Sequence, residues 1–348
     1  MIFETEEALF ESFINVAQIE ITGKCNLNCR HCRGNGNKNL NTDMPFDKIK
    51  EIITFAKRNS ANDFIEIVLS GGEPLLHPKL EEILKFCKQE NVLIEITTNG
   101  YLINQKFIDM FKENNVTTIS ISLDSISPQE HDKFRGKKGA FDKAIKAIKL
   151  LNQNGIRTRI RSTISNNNIY EMEKMVMYAI DLNVDSIAFG PIIPVGNAVT
   201  LGDEMFNTPE QMKNFIDLFY ELKEKYKDKV NVVTNECLHG LHELDKYNTE
   251  DDSERMIDGC SAGIVSFNVL INGDMTPCSM YHRKILNIYE SNDFEKDYLK
   301  CQTIKELLER NYVGKCGSCS LKFVCGGCRV RSEFYTGNRL GSDPLCWV

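Results

Sequence analysis

Two hydrophobic rhythms alternate between residues 15 and 190. Short β-branched or apolar runs, bounded by Gly, Asn or Pro, predict strands at 16–22, 64–69, 92–98, 117–123, 157–164 and 186–189. Between them, apolar residues recur three and four apart and predict helices at 46–59, 79–90, 105–114, 140–154 and 169–182. In the fourth helix Phe141, Ala144, Ile145, Ile148 and Leu151 mark one face, and Asn154-Gly155 supplies a stop. Strand–helix units repeated in this way predict a parallel sheet with helices outside. Six units fall short of the eight of a closed barrel. The expected fold is therefore α/β, a partial (β/α)6 barrel of the TIM type within residues 1–230.

After one more helical stretch at 209–227 the pattern changes. Residues 243–254 are polar and charged and predict a surface connection. From residue 259 the chain is rich in Cys and Gly. A hairpin is expected from 264–271 and 274–278 around Asn272-Gly273, then a short helix at 303–310. Residues 231–348 thus read as a second, cysteine-rich domain.

Composition narrows the function. A net charge of -7 does not suit a nucleic-acid partner, whose phosphates favour a basic face. The start, residues 1–11, is acidic and lacks the apolar core of a signal peptide. No run of 18 apolar residues predicts a membrane span. The expected location is cytoplasmic, and in that reducing compartment 13 cysteines suggest metal ligation more than disulfides.

Cys25, Cys29 and Cys32 have Cys-x3-Cys-x2-Cys spacing directly after the first strand. That is the C-terminal end of the strand, where barrel active sites form. Three thiolates on one loop can hold three irons of a cubane and leave the fourth open. A closed zinc site needs a fourth protein ligand, and His31 is crowded between Cys29 and Cys32. A zinc knuckle is the competing reading. The second strand ends in Ser70-Gly71-Gly72-Glu73-Pro74, where glycines permit close approach to a ligand and Glu73 can accept from an ammonium group. Asn99, Ser122, Asp124 and Arg135 also fall at or just beyond strand C-termini. Singly, each of these polar residues fits a turn or a cap.

Together they resemble the radical S-adenosylmethionine (SAM) superfamily over residues 15 to about 190, with the three-cysteine loop and the Gly-Gly-Glu-Pro turn as the hallmark pair. The resemblance implies that Cys25, Cys29 and Cys32 ligate a [4Fe–4S] cluster whose open iron binds SAM. It implies that Gly71, Gly72 and Glu73 meet the SAM amino group, that Ser122 meets the ribose or carboxylate, and that Arg135 meets the carboxylate. His31 takes the position beside the adenine, and Asn99 and Asp124 are further carry-overs. The implied chemistry is reductive cleavage of SAM to a 5′-deoxyadenosyl radical that abstracts hydrogen from a substrate. An electron donor such as flavodoxin or ferredoxin is then required.

The C-terminal cysteines run Cys260-x12-Gly273-x4-Cys278, Cys316-x2-Cys319-x5-Cys325-x2-Cys328 and Cys346. Seven thiolates are too many for one zinc and nearly enough for two four-cysteine clusters. The array resembles the SPASM extension, named for peptide-maturing radical SAM proteins. That resemblance implies a first auxiliary [4Fe–4S] cluster on Cys260, Cys278 and Cys328 and a second on Cys316, Cys319, Cys325 and Cys346. The gap before Cys328 is two residues here rather than the usual three. The first auxiliary cluster lacks an obvious fourth ligand; Cys237 and Cys301 are candidates, and an open iron that binds substrate is the other possibility. Cys87, among Leu84 and Phe86, reads as structural.

Substrate is less legible. Sulfatase-maturing members carry Asp after the cysteine matching Cys278, and this chain has Ser279. The tail from Cys325 to Arg331, with Asp343 to Cys346, looks like those of tetrapyrrole-processing members, which remove or oxidise haem-precursor side chains, and like those of peptide modifiers. A ribosomally made peptide substrate is the main expectation, receiving a crosslink, a thioether or an epimerisation. A tetrapyrrole is the first alternative and an aminocyclitol-type small molecule the second. Arg157, Arg159 and Arg161 alternate on one strand and share a face; pointing into the barrel they can pair with substrate carboxylates, and otherwise the face is solvated or salt-bridged to helices. Tyr281, His282 and Cys237 are the candidate catalytic relays by position. The contrasting non-enzyme reading is a zinc-ribbon adaptor.

Overall fold

The structure, a computed structural model, describes residues 1–4, 9–34, 41–62, 64–247 and 259–348. The expected surface connection at 243–254 lies outside the described residues from 248 onward. At the N-terminus β1 (Ile2–Glu4) and β2 (Leu9–Glu11) form a small antiparallel pair. The six expected strands follow as β3 (Val16–Thr22), β4 (Glu66–Gly71), β5 (Leu93–Thr98), β6 (Thr118–Ser122), β7 (Thr158–Ile164) and β8 (Ser186–Pro191). A further strand, β9 (Asn231–Thr234), pairs with β8. β10 (Ser266–Val269), β11 (Asp274–Thr276) and β12 (Leu286–Asn287) complete the set.

From β3 to β9 every strand pairs in parallel with its successor in sequence. Such an order never reverses, so the sheet has no switch point of the doubly wound kind and curls as a partial barrel. The connecting helices are α1 (Phe46–Arg58), α2 (Leu80–Gln89), α3 (Gln105–Glu113), α4 (Pro128–Arg135), α5 (Ala140–Gln153) and α6 (Met172–Asp181), followed by α7 (Pro209–Lys225). Apart from α4, whose buried residues are His131 and Arg135, each buries one apolar stripe, as α1 does with Ile49, Ile52, Ile53 and Ala56. α7 starts at a capping box, with Thr208 and Gln211 each satisfying the other's backbone N–H and Pro209 in the first turn.

The expected hairpin forms as β10 and β11, with Gly273 at φ 88° in its turn. β10 also pairs in parallel with β3, so the hairpin extends the barrel sheet at that edge. The expected division at 230/231 falls where β9 begins, and one ten-stranded sheet runs through both regions. The rest of the C-terminal region carries α8 (Phe294–Lys300), α9 (Gln302–Glu309), α10 (Lys315–Ser318) and α11 (Arg329–Thr336). Buried apolar residues from Ile14 to Leu345 form the main core, and Ile192, Ala198, Leu201 and Met205 form a smaller separate cluster. Among the described residues no helix is long and apolar enough to cross a membrane.

Candidate active site and cysteine centres

The strand C-termini open onto a cavity of about 620 Å³. Cys25, Cys29 and Cys32 line it together with His31, Gly71, Gly72, Glu73, Asn99, Ser122 and Arg135. One short loop after β3 carries the three thiols, and the segments after β4, β5 and β6 carry the rest.

The two glycines hold that loop in place. The Gly72 N–H donates to Thr22 O at 2.7 Å and the Glu73 N–H to Lys24 O at 2.7 Å. A Cβ at Gly71 would lie 2.3 Å from Thr22 O, and one at Gly72 would lie 2.1 Å from Lys24 O. Their smallness is thus required by the backbone leading into Cys25, a demand that the expectation of ligand approach did not include. Glu73 is 1% exposed. It accepts from Thr98 Oγ1 at 2.6 Å, Asn99 N at 2.9 Å and Leu75 N at 3.2 Å. Burial nonetheless pushes its carboxyl up to about 7.

The opposite side of the loop is held by a segment after β8. Asn197 donates from Nδ2 to Cys29 O at 2.8 Å and from its backbone N–H to Cys32 O at 2.9 Å. A Cβ at Gly196 would lie 2.4 Å from Cys32 O. Arg30 pairs with Glu204 at 2.6 Å. The His31 ring stacks on Phe134, centroids 4.1 Å apart. Sequence reasoning missed Asn197, which becomes visible only once the chain returns to the loop from β8.

Arg135 ends α4 and reaches the cysteine loop. Its Nη1 lies 3.9 Å from Cys29 Sγ and its Nε donates to Asp124 Oδ2 at 2.6 Å. Asp124 is 2% exposed and does not line the cavity; it sits behind Arg135 and accepts the Thr163 N–H at 3.0 Å. Burial would raise the Asp124 carboxyl, but the Arg135 guanidinium, helped by His31 and His131, holds it below its usual range.

The lumen below the cavity is charged and internally paired. Arg159 and Arg161 of β7 line it and both reach Glu95, at 2.6 and 3.4 Å; Arg157 is exposed. Arg33 pairs with Glu20 at 3.0 Å and donates to Ser279 O at 3.1 Å. Arg159 and Arg161 thus point into the barrel, as the first possibility requires, and are paired there with Glu95 of β5 rather than with helices.

All 13 cysteines are free thiols. Among the described residues no three His, Cys, Asp or Glu side chains converge on a point that takes a single metal ion. Cubane ligands bind different irons and do not need to converge in that way. The cysteine loop fits a cluster with a bound organic group: three thiols share one cavity, a guanidinium stands beside one of them, and Thr97 Oγ1 on the cavity wall is buried without a hydrogen-bond partner.

The C-terminal thiols fall into two neighbourhoods. Burial raises Cys278 to about 12, with Cys260 and Cys328 adding to the rise. Burial likewise raises Cys325 to about 12, with Cys346 and Cys316 adding to it. Cys346 in turn lies near Cys316 and Cys319. Three buried arginines run between these groups. Arg310 donates to Cys260 O at 3.2 Å, Arg329 Nη2 lies 3.8 Å from Cys316 Sγ, and Arg331 pairs with Glu236 and Asp343. Cys87 is buried in α2, as a structural thiol would be.

Tyr281 and His282 do not line the main cavity. A tight turn bridges Cys278 and Tyr281, and the two residues within it, Ser279 and Met280, face the main cavity. Tyr281 and His282 line a second cavity of about 530 Å³, which shares Met280 and Val195 with the first. Tyr281 is 4% exposed and burial raises its hydroxyl pKa; His282 is exposed.

Comparison with known proteins agrees with this arrangement. Residues 19–179 match the model of the radical SAM superfamily. The chain is 28% identical over 344 residues to an AdoMet-dependent heme synthase of Methanosarcina barkeri, covering 94% of each chain. It is 25% identical over 332 residues to the mycofactocin maturase MftC of Mycolicibacterium smegmatis, covering 94% of this chain and 81% of that protein. In fold it resembles SuiB of Streptococcus suis bound to the precursor peptide SuiA, with a TM-score of 0.78 at 20% identity over 97% of this chain and 76% of that one. Residues 19–179 thus resemble the radical SAM superfamily, and the chain as a whole, its cysteine-rich C-terminal region included, shares the fold of SuiB.

Proposed function

We propose that Cys25, Cys29 and Cys32 hold the SAM-cleaving [4Fe–4S] cluster and that the enzyme modifies a ribosomally made peptide. When bound, that cluster would supply the electron for reductive cleavage of SAM and so the radical chemistry that takes a hydrogen atom from the substrate. The chain's own residues bind, orient and exclude water. The backbone at Gly71 and Gly72, with Glu73, holds the SAM amino group. Arg135 holds its carboxylate and is itself positioned by Asp124. Ser122 and Asn99 serve the ribose side, and His31, stacked on Phe134, the adenine side. Residues 1–230 form the SAM-binding barrel domain. Residues 231–348 hold two auxiliary [4Fe–4S] clusters, one on Cys260, Cys278 and Cys328 and one on Cys316, Cys319, Cys325 and Cys346. A flavodoxin- or ferredoxin-type protein supplies electrons.

The observation that carries the peptide reading is the paired lumen. Arg33, Arg159 and Arg161 each already have a carboxylate partner. A polycarboxylate tetrapyrrole needs unpaired cations, whereas a peptide backbone offers donors and acceptors that a balanced polar wall can meet. The tetrapyrrole reading stays as the second, because the heme synthase match spans nearly the whole of both chains. The test is 5′-deoxyadenosine formation under dithionite, with peptides encoded beside the gene or an iron-bearing haem precursor added. Peptide-dependent stimulation with a mass change in the peptide supports the reading. Stimulation by the tetrapyrrole alone, with loss of its side-chain carboxyls, overturns it.

A further inference from the structure

Two spare cysteines, Cys237 and Cys301, compete for the first auxiliary set, and the structure separates them. Cys301 sits between α8 and α9, beside buried Tyr298. Cys237 follows β9; its thiol donates to Glu236 Oε1 at 3.4 Å and lies close to the thiol of Cys328. Cys237 O lies 3.9 Å from the Cys325 sulfur, so the residue sits at the junction of the two cysteine groups.

A buried ion triad fixes this contact. Arg331, 1% exposed, donates to both oxygens of Glu236 at 2.6 and 2.7 Å and to Asp343 Oδ2 at 2.7 Å. Asp343 Oδ2 also accepts the Cys328 backbone N–H at 2.8 Å. The residue before Cys237 is therefore tied through one guanidinium to the backbone of Cys328. Arg331 Nη2 lies 3.7 Å from Cys237 Sγ. A buried triad of this kind is costly to desolvate and costlier to break, so it holds its neighbours in one geometry.

We propose that Cys237 is the fourth protein ligand of the first auxiliary cluster, completing Cys260, Cys278 and Cys328. This rests on the reading that the C-terminal region carries that cluster. Its consequence is chemical: four thiolates leave no iron open, so this cluster passes electrons and does not bind substrate.

The test uses the full chain carrying C25A, C29A and C32A, reconstituted anaerobically so that only auxiliary iron is present. Cyanide, a ligand for open irons, is the probe, read by electron paramagnetic resonance and by Mössbauer spectra of 57Fe. In this parent, cyanide leaves the auxiliary spectra unchanged. Adding C237A makes one auxiliary spectrum cyanide-sensitive or removes about one iron, as expected of a cubane with three protein ligands. C237S falls between the two and answers the question if C237A does not fold by circular dichroism. C301A matches the parent. A parent already sensitive to cyanide, or a C237A variant identical to it, overturns the proposal. A parent without auxiliary iron overturns the auxiliary-cluster reading itself.

Discussion

Arg135 touches the cysteine loop and its own anchor at once: Nη1 lies 3.9 Å from Cys29 Sγ, while Nε donates to Asp124 at 2.6 Å. A guanidinium held in this way keeps a positive charge beside the loop. Replacing it alone leaves the buried Asp124 carboxylate without its guanidinium countercharge. R135M is therefore expected to destabilise the iron-free chain by about 3–5 kcal/mol, and R135M/D124N by clearly less, because the pair is then removed together. Urea denaturation of the single and double variants measures both.

The two hydrogen bonds from Asn197 to the carbonyls of Cys29 and Cys32 tie the loop to the segment after β8. N197A removes the side-chain bond to Cys29, worth about 1 kcal/mol. The expected result is several-fold faster loss of loop iron to a chelator, with the melting temperature little changed. Equal chelation rates contradict that role.

Glu73 gives the iron-free chain a pH dependence. Its folded pKa, about 7, lies above the ordinary 4.5, so the folded state holds this proton more tightly than the unfolded one. The stabilisation is fully present below pH 4.5 and is lost as pH rises through 7, on the order of 3 kcal/mol in all. Denaturation midpoints are expected to fall between pH 5 and 8 in the natural chain and to stay flatter in E73Q.

Gly72→Ala places a methyl 2.1 Å from Lys24 O, a backbone atom that cannot move away alone. The expected cost is several kcal/mol, read by thermal melting. Gly240→Ala, where nothing lies within 4 Å of the new Cβ, serves as the control and is expected to stay within about 0.5 kcal/mol.

Local rhythm carried most of the barrel. β3 to β8 and the long helices lie within a few residues of their expected bounds, because each is a strongly periodic segment between clear breakers. β9 escaped notice because Asn231–Thr234 is short and has only two apolar residues. α4 had its signals, Ser127 as cap, Pro128 in the first turn and Gly136 in the left-handed conformation, but was read only as a source of site residues. The pairing of β10 with β3 joins segments far apart in sequence and leaves no local trace. In the site, the cysteine spacing and the Gly-Gly-Glu turn announced one cavity. That Asp124 acts from behind Arg135, and that Glu236 and Asp343 meet at Arg331, depends on tertiary contacts alone. The position of Tyr281 suggested a relay, yet the turn after Cys278 carries it to the neighbouring cavity.

The central claim is that the loop after β3 holds a SAM-cleaving cluster while the C-terminal region holds two more. Iron and acid-labile sulfide in anaerobically reconstituted protein, with dithionite-driven SAM cleavage on the same sample, test it most directly. The account predicts about twelve irons per chain and 5′-deoxyadenosine as product. It also predicts that C25A/C29A/C32A abolishes cleavage and keeps about eight irons. Zinc in place of iron, or cleavage that survives loss of the three loop cysteines, would contradict it.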